Sequence, residues 1–389
     1  MNKLIKKKNN MNQKTASQIN VPLLDLNRQY DPIKNDITNK LLSMFDDKRF
    51  INGPEVTELE EKICQYTNTN YAVGVSSGSD ALIISMMGLD IGQDDEVITS
   101  PFSFFATAGC IARLGAKPIF CDIDPNTFNI DSKQIESKIT SKTKAIMPVH
   151  LFGQCADMEA IQAIAKKHNL AIIEDAAQAL GASYQFADKT LKKAGNLGTI
   201  GCFSFFPSKN LGACGDAGII TTNDKDLYEK IKCLRMHGET QRYHHKYIGG
   251  NFRLDTIQAG ILTIKLDYLD EQHNGRQSNA NYYNTHLAET IQKPIINSNS
   301  PSIYNQYTLK TAKRDALKDY LTKHTIGNNI YYPIPLHLQE CFTYLGYQQG
   351  DFPEAEKAAN QVLSIPIFTE LTKEELEYTC YHINQFFKG

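Results

Sequence analysis

Between Tyr71 and Thr222, short apolar runs of strand length alternate with amphipathic segments of helix length, and this alternation strongly limits the possible folds. It indicates a mostly parallel sheet that helices cover on both faces. We therefore predict an α/β fold with a seven-stranded, mostly parallel sheet. The predicted strands are Tyr71–Ser76, Glu96–Ser100, Pro118–Asp122, Ala145–His150, Ala171–Asp175, Thr199–Phe205 and Gly218–Thr222.

Helices are predicted before, between and after these strands, because apolar residues recur there at helical spacing. A long helical stretch from Asp255 to about Asn284 leaves the first domain. The helices that precede it are predicted at Ile33–Phe45, Glu55–Tyr66, Asp80–Gly88, Phe104–Leu114, Ser132–Ile139, Asp157–His168 and Asp224–Met236.

The C-terminal part of the chain mixes strands and helices, and it is predicted to form a smaller α+β domain. We expect a disordered polar tail over residues 1–20, a large α/β domain over 21–260, and a linking helix with the small domain over 261–389. The strand-like segments of the small domain are Tyr304–Lys310 and Asn329–Tyr332, and its helices are Arg314–His324, Glu354–Val362 and Lys373–Phe386.

The composition gives no sign of nucleic acid or membrane partners. The 389 residues are 41% hydrophobic and carry a formal net charge of −2, so electrostatics favours neither a nucleic acid nor an anionic membrane. No apolar run approaches the roughly 20 residues that a membrane span needs. The nine cysteines are scattered and never form a C-x-x-C pair. They are therefore interpreted as free thiols of a cytoplasmic protein, with neither disulfides nor a zinc site.

A serine- and glycine-rich segment, Val75-Ser76-Ser77-Gly78-Ser79-Asp80, joins the first predicted strand to a helix. The backbone N–H groups of a helix N-terminus and nearby hydroxyl groups together suit a phosphate. An ordinary N-cap by Ser77 or Ser79 explains the same residues. A dinucleotide site is not indicated, because the segment lacks G-x-G-x-x-G.

Two acidic residues, Glu174 and Asp175, end the strand that begins at Ala171. Ligands of parallel α/β sheets bind beyond the carboxyl ends of the strands, so the Asp175 carboxylate is expected to point into that crevice. A buried carboxylate needs a cation, and a protonated pyridine nitrogen is one such partner. A helix N-cap aspartate is the alternative interpretation.

Lys209 stands after an apolar, β-prone run that begins at Phe203, and a glycine-rich loop follows it. Burial at such a place lowers the pKa of an amine and makes it a nucleophile toward carbonyl groups. Taken alone, a lysine is more often a surface charge than a catalytic group. Together with the acid and the phosphate loop, however, it completes the three contacts that pyridoxal 5′-phosphate requires of a protein.

Four segments together resemble the DegT/DnrJ/EryC1/StrS family of pyridoxal phosphate-dependent nucleotide-sugar aminotransferases. The resemblance extends from Val21 to the C-terminus, and it implies the fold-type I architecture of aspartate aminotransferase-like enzymes. The four segments are Gly78-Ser79-Asp80-Ala81-Leu82, Glu174-Asp175-Ala176-Ala177-Gln178, Phe203-Ser204-Phe205-Phe206-Pro207-Ser208-Lys209 and Asn251-Phe252-Arg253-Leu254-Asp255.

The resemblance implies a role in cofactor binding for each matching residue. Lys209 is expected to form the Schiff base with pyridoxal 5′-phosphate and to move the proton, while Asp175 pairs with the pyridine nitrogen. Asn251 is implied to reach the cofactor phosphate of a neighbouring subunit, which predicts a homodimer with shared active sites. The other expected cofactor contacts are Gly78, Ser79 and Ser204 for the phosphate, and Gln178 and Phe104 for the ring.

The resemblance also implies the reactants. L-Glutamate is the expected amino donor, and a UDP- or dTDP-linked oxo sugar is the expected acceptor. The stretch Arg242–Lys246 and the loop after Lys209 look most like those of enzymes that aminate C3 of 3-oxo sugars. Among these are the enzymes that act on UDP-2-acetamido-2-deoxy-3-oxo-glucuronate for surface polysaccharides. The expected substrate contacts are Arg253, His244, His245, Tyr331, Tyr332 and His337, and no metal is expected.

Several other functions compete with this interpretation. Amination of a dTDP-3-oxo-6-deoxyhexose or of a 4-oxo nucleotide sugar stays open. A sugar dehydratase of the same family would carry histidine in place of Lys209. A regulator that binds the cofactor would need a DNA-binding module, for which the segment before Val21 is too short. A nicotinamide oxidoreductase would need the glycine fingerprint.

Overall fold

A seven-stranded sheet is the largest element of the protein, whose computed structural model describes residues 19–388. Residues 1–18, which form most of the predicted tail, lie outside the described residues. The strands within the described range are β1 (Tyr71–Val75), β2 (Glu96–Thr99), β3 (Lys117–Phe120), β4 (Thr143–Met147), β5 (Ala171–Asp175), β6 (Ser183–Gln185), β7 (Leu191–Lys193), β8 (Ile200–Ser204), β9 (Gly218–Thr222), β10 (Glu239–Gln241), β11 (His244–His245), β12 (Tyr307–Lys310) and β13 (Val362–Ile365).

The strand order of the sheet is β1-β9-β8-β5-β4-β2-β3. Strand β9 runs antiparallel to both of its neighbours, and every other adjacent pair is parallel. The predicted seven-stranded, mostly parallel sheet is therefore confirmed. Because β5 lies between β4 and β8, the carboxyl ends of these three strands meet at one edge of the sheet.

Helices pack on both faces of this sheet, as the alternating pattern predicted. The α-helices of the described range are α1 (Leu26–Tyr30), α2 (Lys34–Asp47), α3 (Pro54–Thr67), α4 (Gly78–Gly88), α5 (Ala106–Arg113), α6 (Ser132–Ile135), α7 (Met158–His168), α8 (Lys225–Arg235), α9 (Thr256–Leu266), α10 (Leu269–His286), α11 (Arg314–Lys323), α12 (Pro353–Gln361) and α13 (Lys373–Lys388).

Successive residues of the strands supply two separate hydrophobic cores, since side chains alternate between the faces of a sheet. Ala72 and Ile172 pack with residues of α3, α7 and α9 on one face. Val73 and Ile173 pack with residues of α4, α5 and α8 on the other face. Both faces of the central strands are thus buried, which explains why these strands are continuously apolar in the sequence.

The small C-terminal sheet differs from the one predicted. Strand β12 pairs with β13, which begins at Val362, the residue where the sequence predicted a helix to end. The short apolar run Val362–Ile365 is fully buried, and periodicity alone cannot distinguish such a run from the end of a buried helix. The strand predicted at Asn329–Tyr332 is wrong, because only Asn329 bridges to Ser364 and Pro333 follows.

The long predicted helix also differs, because it consists of two helices, α9 and α10. They are separated at Asp267 and Tyr268, whose N–H groups donate to the carbonyl groups three residues earlier. Such tight bonds are typical of the 3₁₀ geometry that ends an α-helix. Among the helices of residues 19–388, none combines the length and apolar character that crossing a membrane requires.

Candidate active site

The three predicted cofactor-binding segments end side by side at the carboxyl edge of the sheet. Asp175 is the last residue of β5, and it lies opposite Cys202 in the parallel neighbour β8. Strand β8 then ends at Ser204, and the loop that follows carries Lys209. Strand β1 ends at Val75 and leads through two serines into α4. The topology therefore brings the amine, the acid and the serine loop to one site.

The N-terminus of α4 forms the candidate phosphate cradle. Ser77 is the N-cap residue, and its Oγ accepts a hydrogen bond of 3.1 Å from the N–H group of Asp80. Ala81 donates the first intrahelical bond to Ser77, so the N–H groups of Gly78 and Ser79 precede the helical hydrogen bonds. These donors and the positive end of the helix dipole suit a phosphate.

Gly78 is required where it stands because β8 approaches it closely. A Cβ atom at Gly78 would lie 2.6 Å from the Cβ atom of Ser204, which is closer than real Cβ atoms approach one another. Glycine thus lets the serine loop and the end of β8 meet. The hydroxyl group of Ser204 consequently lies beside the first turn of α4, where both can reach the same anion.

Asp175 is a buried carboxyl group with a defined orientation. Thr107 donates to its Oδ2 at 2.7 Å, and the N–H group of Ala177 donates to its Oδ1 at 3.3 Å. Burial raises the pKa of Asp175 above its ordinary value, and these two hydrogen bonds and the charge of Lys209 oppose that shift. A cation that approached the carboxyl group would stabilise its ionised form further.

Lys209 lies in a tight loop and is only partly exposed. The backbone N–H group of Lys209 donates to the carbonyl oxygen of Phe206 at 2.8 Å. The N–H group of Ala213 donates to the carbonyl oxygen of Phe205, also at 2.8 Å. Burial lowers the pKa of the Lys209 amine to about 8, although the negative charge of Asp175 acts in the opposite direction. A lowered pKa increases the fraction of neutral amine at neutral pH, and the neutral amine is the nucleophile.

Three further predicted residues, Gln178, Phe104 and Tyr332, lie near one another on the side of Asp175. Gln178 is buried and held in place, since its Oε1 accepts from the N–H group of Phe152 at 2.8 Å and its Nε2 donates to the hydroxyl group of Tyr332 at 3.1 Å. The ring of Phe104 is 59% exposed and lies 6.3 Å from the ring of Tyr332. An exposed aromatic ring here is available to stack on a planar ligand.

Arg253 and Asn251 lie next to the serine loop within the same chain. Arg253 forms a backbone bridge with Val75, and the N–H group of Ser76 donates to the carbonyl oxygen of Phe252 at 3.0 Å. The Nε atom of Arg253 is buried without a hydrogen-bond partner. Asn251 is exposed, so its side chain is free to contact another molecule.

The remaining predicted substrate residues lie in different surroundings. His244 and His245 form strand β11 of an exposed hairpin, where Nδ1 of His245 lies 3.0 Å from the carbonyl oxygen of His237. The side chain of His337 is fully buried, with Nε2 3.0 Å from a carboxylate oxygen of Glu356. The structure therefore does not present His337 to a ligand. Tyr331 is partly buried beside Tyr332.

Two residues that hold Asp175 and its strand received no role from the sequence. Thr107 lies in α5, and its hydroxyl group also contacts that of Ser103 at 2.8 Å. Glu174 is completely buried, and its carboxylate accepts from His150 and from three backbone N–H groups of residues 195–198. An acidic residue inside an apolar strand was a visible signal for Glu174, whereas nothing local distinguished Thr107.

These residues fit pyridoxal 5′-phosphate. Gly78 lets Ser204 approach the N-terminus of α4, the buried carboxyl group of Asp175 suits a cation, and Lys209 supplies an amine of lowered pKa. The side chains of Gln178 and Phe104 border the space between these contacts. The sheet topology and this site together define a pyridoxal phosphate-dependent aminotransferase of fold type I.

Comparison with known proteins agrees with this class. The DegT/DnrJ/EryC1/StrS aminotransferase family matches residues 31–384. The protein DesV of S. venezuelae, solved in complex with a ketimine intermediate, superimposes with a TM-score of 0.91 and 35% identity, covering 94% of this chain and 98% of its own. The chain belongs to the DegT/DnrJ/EryC1/StrS aminotransferase family.

Three relatives by sequence cover nearly their whole length. A Geobacillus stearothermophilus protein named pleiotropic regulatory protein is 47% identical, over 95% of this chain and 99% of its own. The UDP-2-acetamido-2-deoxy-3-oxo-D-glucuronate aminotransferase of Pseudomonas aeruginosa is 42% identical, over 92% of this chain and 98% of its own. The dTDP-3-amino-3,6-dideoxy-alpha-D-galactopyranose transaminase of Aneurinibacillus thermoaerophilus is 40% identical, over 94% and 99%. The protein is thus an enzyme that uses pyridoxal 5′-phosphate to aminate a nucleotide-linked sugar.

Proposed function

We propose that the protein transfers the amino group of L-glutamate to C3 of a UDP-linked 2-acetamido-2-deoxy-3-oxo sugar acid, as a step in making a surface polysaccharide. The observation that carries the chemistry is the placement of a desolvated amine, Lys209, near a buried carboxyl group, Asp175, at the carboxyl edge of the sheet. The identity of the sugar rests on similarity to the relatives and on the cations of this chain.

In this proposal, Lys209 and Asp175 divide the chemistry of the cofactor between them. The bound cofactor supplies an electron sink that stabilises negative charge on the reacting carbon. Asp175 would keep a proton on the pyridine nitrogen, because a cation at that place would stabilise its buried carboxylate. Lys209 would hold the cofactor through its amine, and the free amine would move a proton at the substrate carbon.

The other site residues would bind and orient the cofactor. The N-terminus of α4 and the hydroxyl groups of Ser79 and Ser204 would hold the phosphate, which fixes one end of the cofactor. Gln178, braced by Phe152 and Tyr332, would border the ring, and Phe104 would cover one ring face and exclude water from it. Fixing the reactants in this way contributes to rate through orientation.

Amination at C3 has broader support than the choice of nucleotide. The relatives from P. aeruginosa and A. thermoaerophilus carry different nucleotides in their names, UDP and dTDP, but both names place the reaction at position 3. A dTDP-linked 3-oxo-6-deoxyhexose is therefore the first alternative substrate. A 4-oxo sugar has no comparable support among these relatives.

A carboxylate on the sugar would need a cation, and Arg253 is the candidate. Its Nε atom is buried without a partner beside the serine loop. A guanidinium group can bind a carboxylate through two parallel hydrogen bonds. The competing role of Arg253 is to bind the carboxylate of glutamate in the other half-reaction. His244 and His245 remain candidates for contacts with the nucleotide, from their exposed hairpin.

We also infer a homodimer with shared active sites. Large apolar side chains are exposed around the site and on the neighbouring segments, and a second copy of the chain would cover them. Asn251 is exposed and would reach the cofactor phosphate of the other subunit. Sedimentation of an active monomer at assay concentration would contradict this inference. The exposed side chains are Ile51, Phe206, Tyr243 and Ile248.

A purely regulatory function is the second candidate, because the relative from G. stearothermophilus is named a regulatory protein. Such a function gives no reason for the lowered pKa of Lys209. Measuring turnover with glutamate distinguishes an aminotransferase from a regulator. An enzyme releases 2-oxoglutarate and aminates a sugar, whereas a regulator binds the cofactor without either reaction.

The test is an assay of the purified enzyme with glutamate against matched pairs of oxo sugars, read by mass spectrometry. UDP-linked 3-oxo sugars with and without the C6 carboxylate test the sugar acid, and a dTDP-linked 3-oxo-6-deoxyhexose tests the nucleotide. We expect fastest amination of the UDP-linked sugar acid. Equal rates on the dTDP-linked sugar would refute the proposed substrate, and an unchanged sugar half-reaction in Arg253→Lys would refute the role of Arg253.

A further inference from the structure

Lys265 is a buried cation that has no acidic partner among residues 19–388. It lies in α9 and is only 5% exposed. Its ammonium group donates to neutral oxygens: the carbonyl oxygen of Gly212, the hydroxyl group of Tyr30 at 2.9 Å, and Oε1 of Gln29 at 3.3 Å. The charges of Cys214 and then Glu370 act to raise its pKa, but no salt bridge joins Lys265 to a carboxylate among residues 19–388.

Burial of an ammonium group without an acid is unfavourable unless its hydrogen bonds are satisfied. The environment of Lys265 shows this cost, because burial lowers the pKa of the amine to about 8. The ring of Tyr30 offsets part of it, since the ammonium group lies 4.1 Å from the ring centroid. Lysine therefore stands at a position where an apolar residue would be easier to bury.

The carbonyl group that Lys265 holds belongs to the loop that carries Lys209. Pro207 and Gly212 close this loop, and a Cβ atom at Gly212 would collide with the carbonyl group of Pro207. The hydroxyl group of Tyr30 lies 3.3 Å from the carbonyl oxygens of Gly212 and Ala213. Lys265 and Tyr30 thus bind one end of the loop from outside the sheet.

The other side of the loop is held independently. Asn210 donates to the carbonyl oxygen of Ile303 at 3.2 Å and accepts from Asn305 at 3.0 Å. Lys209 lies between these two attachment points, so a change at either one alters the position of its backbone. The Lys265 contact is the charged one, and a hydrogen bond from a cation is roughly twice as strong as a neutral one.

We propose that Lys265 is a positioning residue, which fixes the Gly212 end of the loop and thereby places the Lys209 amine for attack on the carbonyl group of the cofactor. This inference rests on the proposed function of Lys209. The competing explanation is that Lys265 only fastens helix α1 to helix α9 through Gln29 and Tyr30.

The test compares Lys265→Met with a matched control, Lys62→Met. Methionine keeps a long apolar side chain but removes the charge. Lys62 is also packed beside α9, where it pairs with Asp267 at 2.8 Å, but it does not touch the loop. Apoenzyme is mixed with pyridoxal 5′-phosphate and quenched with borohydride at intervals, and a peptide map follows attachment to Lys209.

A second measurement separates positioning from stability. Pyridoxamine 5′-phosphate has no carbonyl group for Lys209 to attack, so its affinity reports only the noncovalent contacts of the site. We expect Lys265→Met to slow attachment by about tenfold or more while the affinity for pyridoxamine phosphate changes by less than about threefold. We expect Lys62→Met to match the wild type in both measurements, and Lys265→Arg to recover part of the rate.

Attachment at the wild-type rate in folded Lys265→Met would overturn the inference. If that variant fails to fold, Tyr30→Phe decides, because it removes a hydroxyl group from the same loop contact and keeps the ring. Slower attachment in Tyr30→Phe supports positioning, and an unchanged rate overturns it. If the cofactor is attached to a different lysine in the wild-type protein, the role of Lys209 is refuted instead. Failure of the inference about Lys265 and failure of the proposed role of Lys209 are therefore distinguishable.

Discussion

The hydroxyl group of Thr107 donates a hydrogen bond of 2.7 Å to Oδ2 of Asp175, although the two residues are 68 positions apart in the sequence. Both side chains are buried, and Ser103 contacts the Thr107 hydroxyl group at 2.8 Å. The carboxyl group therefore has a fixed orientation before any ligand binds. A preorganised acid of this kind avoids the cost of reorientation when the cofactor enters.

Replacement of Thr107 by valine should weaken the binding of pyridoxamine phosphate to the apoenzyme. The substitution leaves an oxygen of Asp175 without its donor, which costs about 1–3 kcal/mol of folding free energy, and it releases the carboxyl group from the orientation in which it would meet the pyridine nitrogen. Thr107→Ser should retain most of the affinity. Thr263→Val is the control, because the hydroxyl group of Thr263 bonds only within its own helix. Equal affinity in Thr107→Val and the wild type would exclude the role of this hydrogen bond.

Asp175→Asn should lose far more rate than stability. The amide cannot hold the proton on the pyridine nitrogen, and each tenfold loss of rate corresponds to about 1.4 kcal/mol of barrier. Burial already raises the pKa of Asp175, so a neutral side chain at this position should preserve the melting temperature. Steady-state kinetics and thermal melting check both expectations. Near-wild-type turnover would show that Asp175 serves the fold alone.

Glu174→Gln is the contrasting variant to Asp175→Asn. In the wild type, the Glu174 carboxylate accepts hydrogen bonds from His150 and from the N–H groups of Gly195, Leu197 and Gly198. An amide can satisfy only some of these buried donors, so melting should occur at a markedly lower temperature. Unchanged melting in Glu174→Gln would contradict this account of how the strand end is held.

Lys209→Ala should bind the cofactor but should not be labelled when borohydride is added. The phosphate cradle and Asp175 remain in this variant, whereas the amine that attacks the cofactor is absent. In the wild type, peptide mapping should find the reduced cofactor on Lys209. Lys117→Ala, which changes an exposed lysine, should be labelled like the wild type. If another lysine of Lys209→Ala is labelled, that lysine rather than Lys209 attaches the cofactor.

The rate of cofactor attachment should rise with pH and level off above about pH 8. Burial lowers the pKa of Lys209 from 10.5 to about 8, and only the neutral amine attacks a carbonyl group. Between these two values the unfolded chain binds more protons at this position than the folded apoenzyme. The contribution of Lys209 to the free energy of unfolding therefore increases with pH across that window. A rate that continues to rise to pH 10 would contradict the lowered pKa.

Much of the fold and the central chemistry could be predicted from the sequence. The seven strands are mostly apolar because both faces of the sheet are buried, and this property is local enough to be visible in a single chain. Lys209 and Asp175 were identified for a similar reason, since each follows an apolar strand at the edge where ligands bind. The motif resemblance then indicated the family and its cofactor.

The tertiary structure alone decided which distant residues support these groups. Thr107 reaches Asp175, and Lys265 reaches the loop of Lys209, because the strand order places their elements side by side. The tertiary structure also placed His337 in the interior against Glu356, although the family resemblance implied a substrate contact. Periodicity reports whether a residue is buried, but hydrogen bonds between elements depend on their packing, which no local pattern encodes.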